Sequence, residues 1–165
     1  MATGPLGQGV ANAVGFAVAE RHLATRFNRP DCPPLIDHWT YVVASDGDLQ
    51  EGMTYEACSL AGQWGLDRLV LIYDENRISI DVRWSQGGLH GGAGPGPSRY
   101  AHRIPQGEVR ITFNENVDER FEAMGWHVQH VPNASEDVEA VRRALQAARA
   151  GSASGKPHFI RVSWV

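Results

Sequence analysis

Apolar residues recur at helical spacing in four stretches of the chain. Residues 9–27 place an apolar side chain every three or four positions, which predicts a long amphipathic helix. Residues 51–64 predict a second helix, and residues 116–124 predict a short third one. The core-facing side of the second helix is expected to consist of Met53, Ala57, Leu60, Ala61 and Trp64.

The fourth helical stretch lies near the C-terminal end of the sequence. We expect Ser135 to cap its N-terminus, because a serine hydroxyl can accept a hydrogen bond from a free backbone N–H, and the helix to extend through Arg149. Its core face is expected to consist of Val138, Val141, Ala144, Leu145 and Ala148. We also expect Trp64 and Trp126 to pack in the core as large aromatic side chains, with Cys58 as a small core residue.

Two uninterrupted apolar runs, residues 41–44 and 69–73, predict strands that are covered on both faces, as in a parallel sheet. The helix at 51–64 lies between them with short connections, which predicts a βαβ unit with a right-handed crossover. Residues 126–131 and 157–162 predict two further strands. The pattern therefore indicates an α/β fold with a mostly parallel sheet flanked by helices.

Composition and charge narrow the classes of function. A hydrophobic content of 42% is that of an ordinary globular protein, and no apolar run approaches the length of a bilayer span. The first residues contain no export signal, so we expect a cytoplasmic protein in which Cys32 and Cys58 are reduced. The net charge of −4 argues against nucleic acid as a partner.

Two polar residues follow the two predicted buried strands, Asp46 after the first and Asn76 after the second. Ligands bind beyond the carboxyl ends of parallel strands, and a carboxylate with an amide oxygen suits Mg²⁺, which also takes phosphate oxygens. Gly47 would let a diphosphate approach the backbone, because it has no Cβ. The alternative is that both segments are ordinary turns after strands.

Three segments resemble the transketolase family. Residues 3–15 (TGPLGQGVANAVG) are similar to the start of its thiamine diphosphate-binding domain. Residues 45–52 and 73–81 resemble its thiamine diphosphate motif, in which Asp-Gly is followed about thirty positions later by Asn, and here Asn76 follows Asp46 by 30 positions. Residues 120–128 (RFEAMGWHV) resemble a third family segment. The resemblance covers residues 2–81 and 111–162 and implies the thiamine diphosphate-binding fold.

The resemblance also implies the cofactors, thiamine diphosphate and Mg²⁺, and the residues that hold them. The implied Mg²⁺ ligands are the Asp46 carboxylate, the Asn76 amide oxygen and the backbone carbonyl of Ile78. The ion would bridge to the diphosphate. The other residues implied to contact the cofactor are Gly4, Pro5, Leu6 and Gly47.

In activity, the resemblance implies reversible transfer of a two-carbon ketol unit between ketose and aldose phosphates, as in the pentose phosphate pathway. It implies a homodimer with Glu51 and Glu56 near the interface, although both can equally be carboxylates of a helix's first turn. The family's pyrimidine-binding domain, with its proton-transferring glutamate, has no counterpart here. We therefore assign no catalytic residue and expect these 165 residues alone to be inactive.

Two departures from the family leave alternatives open. Ser45 stands where the family usually has Gly, and the Gly- and Pro-rich residues 82–110 have no family counterpart. We interpret residues 1–165 as a partial diphosphate-binding domain in which 82–110 is an inserted loop or a translated non-coding piece. The alternative functions are a split subunit of another thiamine diphosphate enzyme, working with a pyrimidine-domain partner chain, and a non-catalytic remnant or binding module.

Overall fold

A computed structural model describes residues 2–77, 109 and 112–164. In them, four parallel strands form one sheet in the order β1-β2-β4-β3. The strands are β1 (Thr40–Ser45), β2 (Leu69–Glu75), β3 (His127–Val131) and β4 (His158–Ser163). The four predicted strands and the parallel α/β class are therefore confirmed, whereas nearly all of the predicted insert at 82–110 lies outside the described residues.

Helices flank this sheet. They are α1 (Gln8–Phe27), α2 (Asp46–Leu49), α3 (Gly52–Trp64), α4 (Val117–Ala123) and α5 (Val138–Ala150), with a 3-10 helix at Gly151–Ser154. The helices predicted at 9–27, 51–64 and 116–124 are confirmed, while α2 replaces what the sequence indicated as a turn. Within the described residues, no helix combines the length and apolar character needed to span a bilayer.

Aromatic side chains fill the core between α4 and the sheet. Phe121 stacks on Phe159 with ring centroids 3.9 Å apart, and Trp126 meets Phe121 edge-on at 5.2 Å. The Trp126 indole N–H donates to the Cys58 carbonyl oxygen at 2.8 Å, so the only polar group of this buried ring is satisfied. The core positions predicted for Trp126 and Cys58 are confirmed.

The predicted core face of α3 is largely wrong. Met53, Leu60 and Trp64 are 42%, 41% and 48% exposed, and the buried residues of the helix are Thr54, Cys58 and Ala61. The inward face carries small side chains because the helix lies very close to the turn before β3. The larger apolar residues consequently face away from the core, which the periodicity alone does not reveal.

Two details of α5 also differ from prediction. The cap is Asp137 rather than Ser135, since the Asp137 carboxylate accepts the Ala140 N–H at 2.8 Å. Ser135 instead belongs to a turn in which the Asn133 carbonyl accepts N–H groups from the two residues before the helix. Val138 is 72% exposed rather than buried, whereas the buried positions of Ala144 and Ala148 are confirmed. A carboxylate is the stronger acceptor, so it displaces the serine as cap.

The close contact between α3 and the turn before β3 predicts that alanine has opposite effects on stability at two helical glycines. A Cβ at Gly62 would lie 1.8 Å from the Met124 carbonyl oxygen, whereas a Cβ at Gly15 in α1 meets nothing within 4 Å. Gly62→Ala should therefore lower the free energy of unfolding by more than about 2 kcal/mol through overpacking. Gly15→Ala should raise it by roughly 0.5–1 kcal/mol, because alanine is the better helix former. Urea unfolding measures both, and a neutral Gly62→Ala would contradict the close contact.

A buried histidine makes the stability of the fold depend on pH. His158, at the start of β4, is fully buried, and neither ring nitrogen has a hydrogen-bond partner among the described residues. Burial, reinforced by nearby His127, lowers the pKa of His158 to about 4. The unfolded chain, by contrast, binds a proton on this imidazole below a pH of about 6.5.

The contribution of His158 should consequently lower the free energy of unfolding by on the order of 3 kcal/mol as the pH drops from about 6.5 to about 4. His158→Leu should remove the part of this slope that His158 contributes, because the side chain at this position then takes up no proton on unfolding. His22→Leu is the matched control at an exposed histidine and should keep the slope. Chemical unfolding at a series of pH values measures the effect, and an unchanged slope in His158→Leu would refute it.

Candidate functional site

Polar residues gather at the carboxyl edge of β1 and β2. The two strands pair in parallel with Ser45 opposite Asp74, so Asp46 and Asn76 leave the sheet at the same edge, on neighbouring strands. This is the edge at which open parallel sheets bind ligands. The structure thus brings together the two residues that the sequence selected as metal ligands.

Asp46 is a buried carboxylate with a partner on each oxygen. It is 2% exposed, the Tyr73 hydroxyl donates to its Oδ1 at 2.6 Å, and the Arg77 backbone N–H donates to its Oδ2 at 2.8 Å. Burial raises the pKa of Asp46, and the charge of Glu75 adds to this, while the hydrogen bonds oppose it. Asp46 is therefore a desolvated carboxylate to which a positive charge would be strongly attracted.

The loop after β2 holds one of these donors in an unusual backbone conformation. Arg77 has a φ of 60°, in the left-handed region that non-glycine residues rarely adopt. Its N–H faces Asp46, and its carbonyl accepts the Val109 N–H at 3.2 Å. Strain of this kind persists where surrounding contacts fix the backbone, and it is frequent at ligand sites.

Asp46 opens onto a cleft of about 270 Å³. The described residues that line it include the carboxylates of Asp46, Glu75 and Glu115 and the guanidinium of Arg77. Glu75 and Asp118 both form ion pairs with Arg161, and Glu115 is paired with Arg120. Asp46, by contrast, accepts hydrogen bonds from a hydroxyl and a backbone N–H, so its buried charge favours a cation in this cleft.

The other two predicted metal ligands are Asn76 and Ile78. Asn76 is exposed, and its side-chain amide donates to the Asp74 carboxylate at 3.2 Å, while its backbone hydrogen-bonds to Asp46. Ile78 lies outside the described residues. Among the residues that are described, no three His, Cys, Asp or Glu side chains form a cluster that could hold a metal ion. A metal at this edge would accordingly depend on backbone, amide and ligand oxygens as well as on Asp46.

The residues predicted to line the cofactor lie in a second cleft, of about 600 Å³, beside the N-terminus of α1. Gly4, Pro5 and Leu6 contribute to this cleft together with Asp48. A Cβ at Gly47 would lie 3.2 Å from Leu6 Cδ1. The space beside Gly47 that the sequence assigned to a diphosphate thus faces the Leu6 side chain.

Sequence reasoning missed Tyr73, which it placed only in a strand. A hydroxyl at the end of an otherwise aliphatic buried strand is the signal that could have revealed it, because a buried tyrosine hydroxyl requires a polar partner.

Glu51 and Glu56, the predicted interface carboxylates, are both exposed at the start of α3. They are therefore open to a partner but do not contribute to either cleft.

Comparison with known proteins gives matches along almost the whole chain. The family model described as "Transketolase, thiamine diphosphate binding domain" matches residues 1–87 and 103–165. The chain is similar to chloroplastic transketolase-1 of Arabidopsis thaliana, with 45% identity over 161 residues that make up 98% of this chain and 18% of that protein.

Solved structures give the same result. A transketolase from Leishmania mexicana has a TM-score of 0.79 and 43% identity, covering 98% of this chain and 20% of that one. A transketolase from Pichia stipitis, solved in complex with sedoheptulose-7-phosphate, has a TM-score of 0.78 and 35% identity over the same shares of the two chains. The chain spans about a fifth of the length of the relatives it matches.

The hydrogen bond from Tyr73 predicts how Asp46 titrates. Tyr73→Phe removes a donor that favours the ionised carboxylate, so the pKa of Asp46 should rise further above its ordinary value. Tyr55→Phe is the matched control, because Tyr55 is also a partly buried tyrosine but is not among the groups that act on Asp46. Carboxyl ¹³C NMR titration of the metal-free protein measures the shift, and an equal pKa in Tyr73→Phe and the unsubstituted chain would exclude this contact.

Proposed function

The chain belongs to the transketolase family, through its thiamine diphosphate-binding domain, and we propose that it anchors the diphosphate half of thiamine diphosphate through Mg²⁺. The proposed anchor is the carboxyl edge of β1 and β2. The observation that carries this proposal is the buried Asp46 carboxylate, which faces a cleft at that edge of the sheet.

The buried charge of Asp46 supports a bridging cation. A diphosphate is an anion, and the Asp46 carboxylate would repel it if nothing lay between them. A divalent cation reverses this repulsion and also compensates the desolvation of Asp46. Mg²⁺ is suited to this position because it binds one or two protein carboxylates and completes its coordination with phosphate oxygens.

We propose Asp46, Asn76 and the carbonyl of Ile78 as the protein ligands of Mg²⁺. Asp46 contributes the charge, and its orientation is fixed by the Tyr73 hydroxyl and the Arg77 N–H. Asn76 lies at the same edge of the sheet and carries an amide oxygen of the type that Mg²⁺ accepts.

The N-terminal loop supplies the other part of the proposed site. Gly4, Pro5 and Leu6 line the larger cleft, and Leu6 offers an apolar surface to the cofactor. Gly47 connects the two clefts, since it adjoins Asp46 in sequence and Leu6 in space. When bound, thiamine diphosphate supplies the electron sink of the reaction, and the protein supplies its position and its electrostatic environment.

For the complete protein we propose transfer of a two-carbon ketol unit between sugar phosphates, as a homodimer that uses the exposed Glu51 and Glu56 near its interface. The sugar phosphate bound to the Pichia stipitis relative supports this substrate class. The 165 residues themselves hold the cofactor anchor without a proton-transferring group, so we propose no turnover by them alone. A cytoplasmic location remains a prediction, since some relatives are chloroplastic.

Calorimetric titration with thiamine diphosphate in the presence and absence of Mg²⁺ tests the anchor. Asp46→Ala should weaken the Mg²⁺-dependent affinity by at least about tenfold, because it removes the charged ligand of the ion. Cys58→Ala, which alters a buried side chain of α3 away from both clefts, should leave the affinity close to that of the unsubstituted chain.

Equal affinities of Asp46→Ala and Cys58→Ala would remove Asp46 from the site. Absence of any Mg²⁺-dependent binding by the unsubstituted chain would favour a non-catalytic remnant over a cofactor-binding domain.

A further inference from the structure

One carboxylate joins the N-terminal loop to the turn that carries Asp46. Asp48 lies in α2, two positions after Asp46. Its Oδ1 accepts the Gly7 backbone N–H at 2.9 Å, across 41 positions of sequence. Its Oδ2 accepts the Ser45 backbone N–H at 2.8 Å and the Ser45 hydroxyl at 3.0 Å. Two backbone segments that are distant in sequence therefore share a single side chain.

Gly7 lies close against the start of α3. Gly7 has a φ of 75°, a conformation that favours glycine. A Cβ there would lie 2.8 Å from both Glu51 Cβ and Thr54 Oγ1. The fully buried Thr54 hydroxyl in turn donates to the Asp48 backbone carbonyl at 2.6 Å. The loop is thereby held between the Asp48 carboxylate and the first turn of α3.

The same arrangement brings the loop against the Asp46 turn. Leu6 follows the same path, because it is next to Gly7 in sequence and lies against Gly47. A Cβ added at Gly47 would lie 3.2 Å from Leu6 Cδ1. Asp48 also lines the larger cleft together with Gly4 and Pro5. A displacement of Gly7 would consequently move the lining of that cleft relative to Asp46.

We propose that Asp48 is a positioning residue that fixes the loop of Gly4, Pro5 and Leu6 relative to Asp46, so that one cofactor molecule can contact both. The inference rests on the proposed function. A role confined to capping α2 would require only the bonds to Ser45, whereas the bond to Gly7 lies outside the helix and joins it to the N-terminal loop.

Asp48→Ala tests this role, because it removes all three hydrogen bonds. The Gly7 amide should exchange with solvent faster, and the Mg²⁺-dependent affinity for thiamine diphosphate should fall about tenfold, the effect typical of a residue that orients a ligand-binding group. Asp48→Asn keeps one acceptor and is the milder variant for the case that alanine prevents folding. Hydrogen exchange by NMR, calorimetry and thermal unfolding provide the three readouts.

Asp137→Ala is the matched control, since it removes a carboxylate that likewise accepts a backbone N–H at a helix N-terminus, far along the chain in α5. It should lower thermal stability without changing cofactor affinity. Ser45→Ala keeps both backbone bonds to Asp48 and should retain most of the affinity.

The outcomes separate the two proposals. If the unsubstituted chain binds and folded Asp48→Ala or Asp48→Asn binds equally tightly, the positioning role is wrong and the proposed function stands. If Asp137→Ala loses affinity to the same extent, the effect reflects stability and the positioning role is again wrong. If the unsubstituted chain does not bind in the presence of Mg²⁺, the proposed function fails and this inference fails with it.

Discussion

Parallel pairing between β1 and β2 places the residue after each strand at one edge of the sheet, and the contacts of the candidate site depend on that register. Tyr73 lies opposite Ala44, and its hydroxyl reaches the Asp46 carboxylate just beyond the end of β1. A slip of one residue would turn Tyr73 to the other face of the sheet and leave Asp46 buried without this donor. The apolar runs that fix the register therefore also determine which side chains meet at the carboxyl ends of β1 and β2.

Burial of Asp46 carries an energetic cost that the fold offsets only in part. Hydrogen bonds from Tyr73 and Arg77 favour the ionised form, yet burial and Glu75 still raise the pKa of Asp46. A buried charge without full compensation is unfavourable, and a bound cation is one way in which proteins provide it. In this domain the incompletely compensated carboxylate faces a cleft at the carboxyl edge of the sheet, which is where open parallel sheets bind ligands.

The sequence predicted β1 and β2 because each is a continuous apolar run bounded by polar residues, as in residues 69–73. It predicted the positions of Asp46 and Asn76 for the same reason, since both lie in the polar segments that follow these runs. It could not orient α3, where the inward face is made of small residues such as Ala61 and the large Trp64 is half exposed. Nor could it find the contacts of Tyr73 and Asp48, which exist only once distant segments meet.

The glycines of this region show what the tertiary structure adds to a motif. Gly47, beside Asp46, suggests from sequence alone a backbone left open for a diphosphate, but its open side faces Leu6. Gly7 is likewise closed in by the start of α3. Both glycines allow two parts of the motif to approach each other, in addition to any room they leave for a ligand. The N-terminal loop and the Asp46 turn therefore form one packed unit, and the distance between the two clefts is a fixed property of the folded chain.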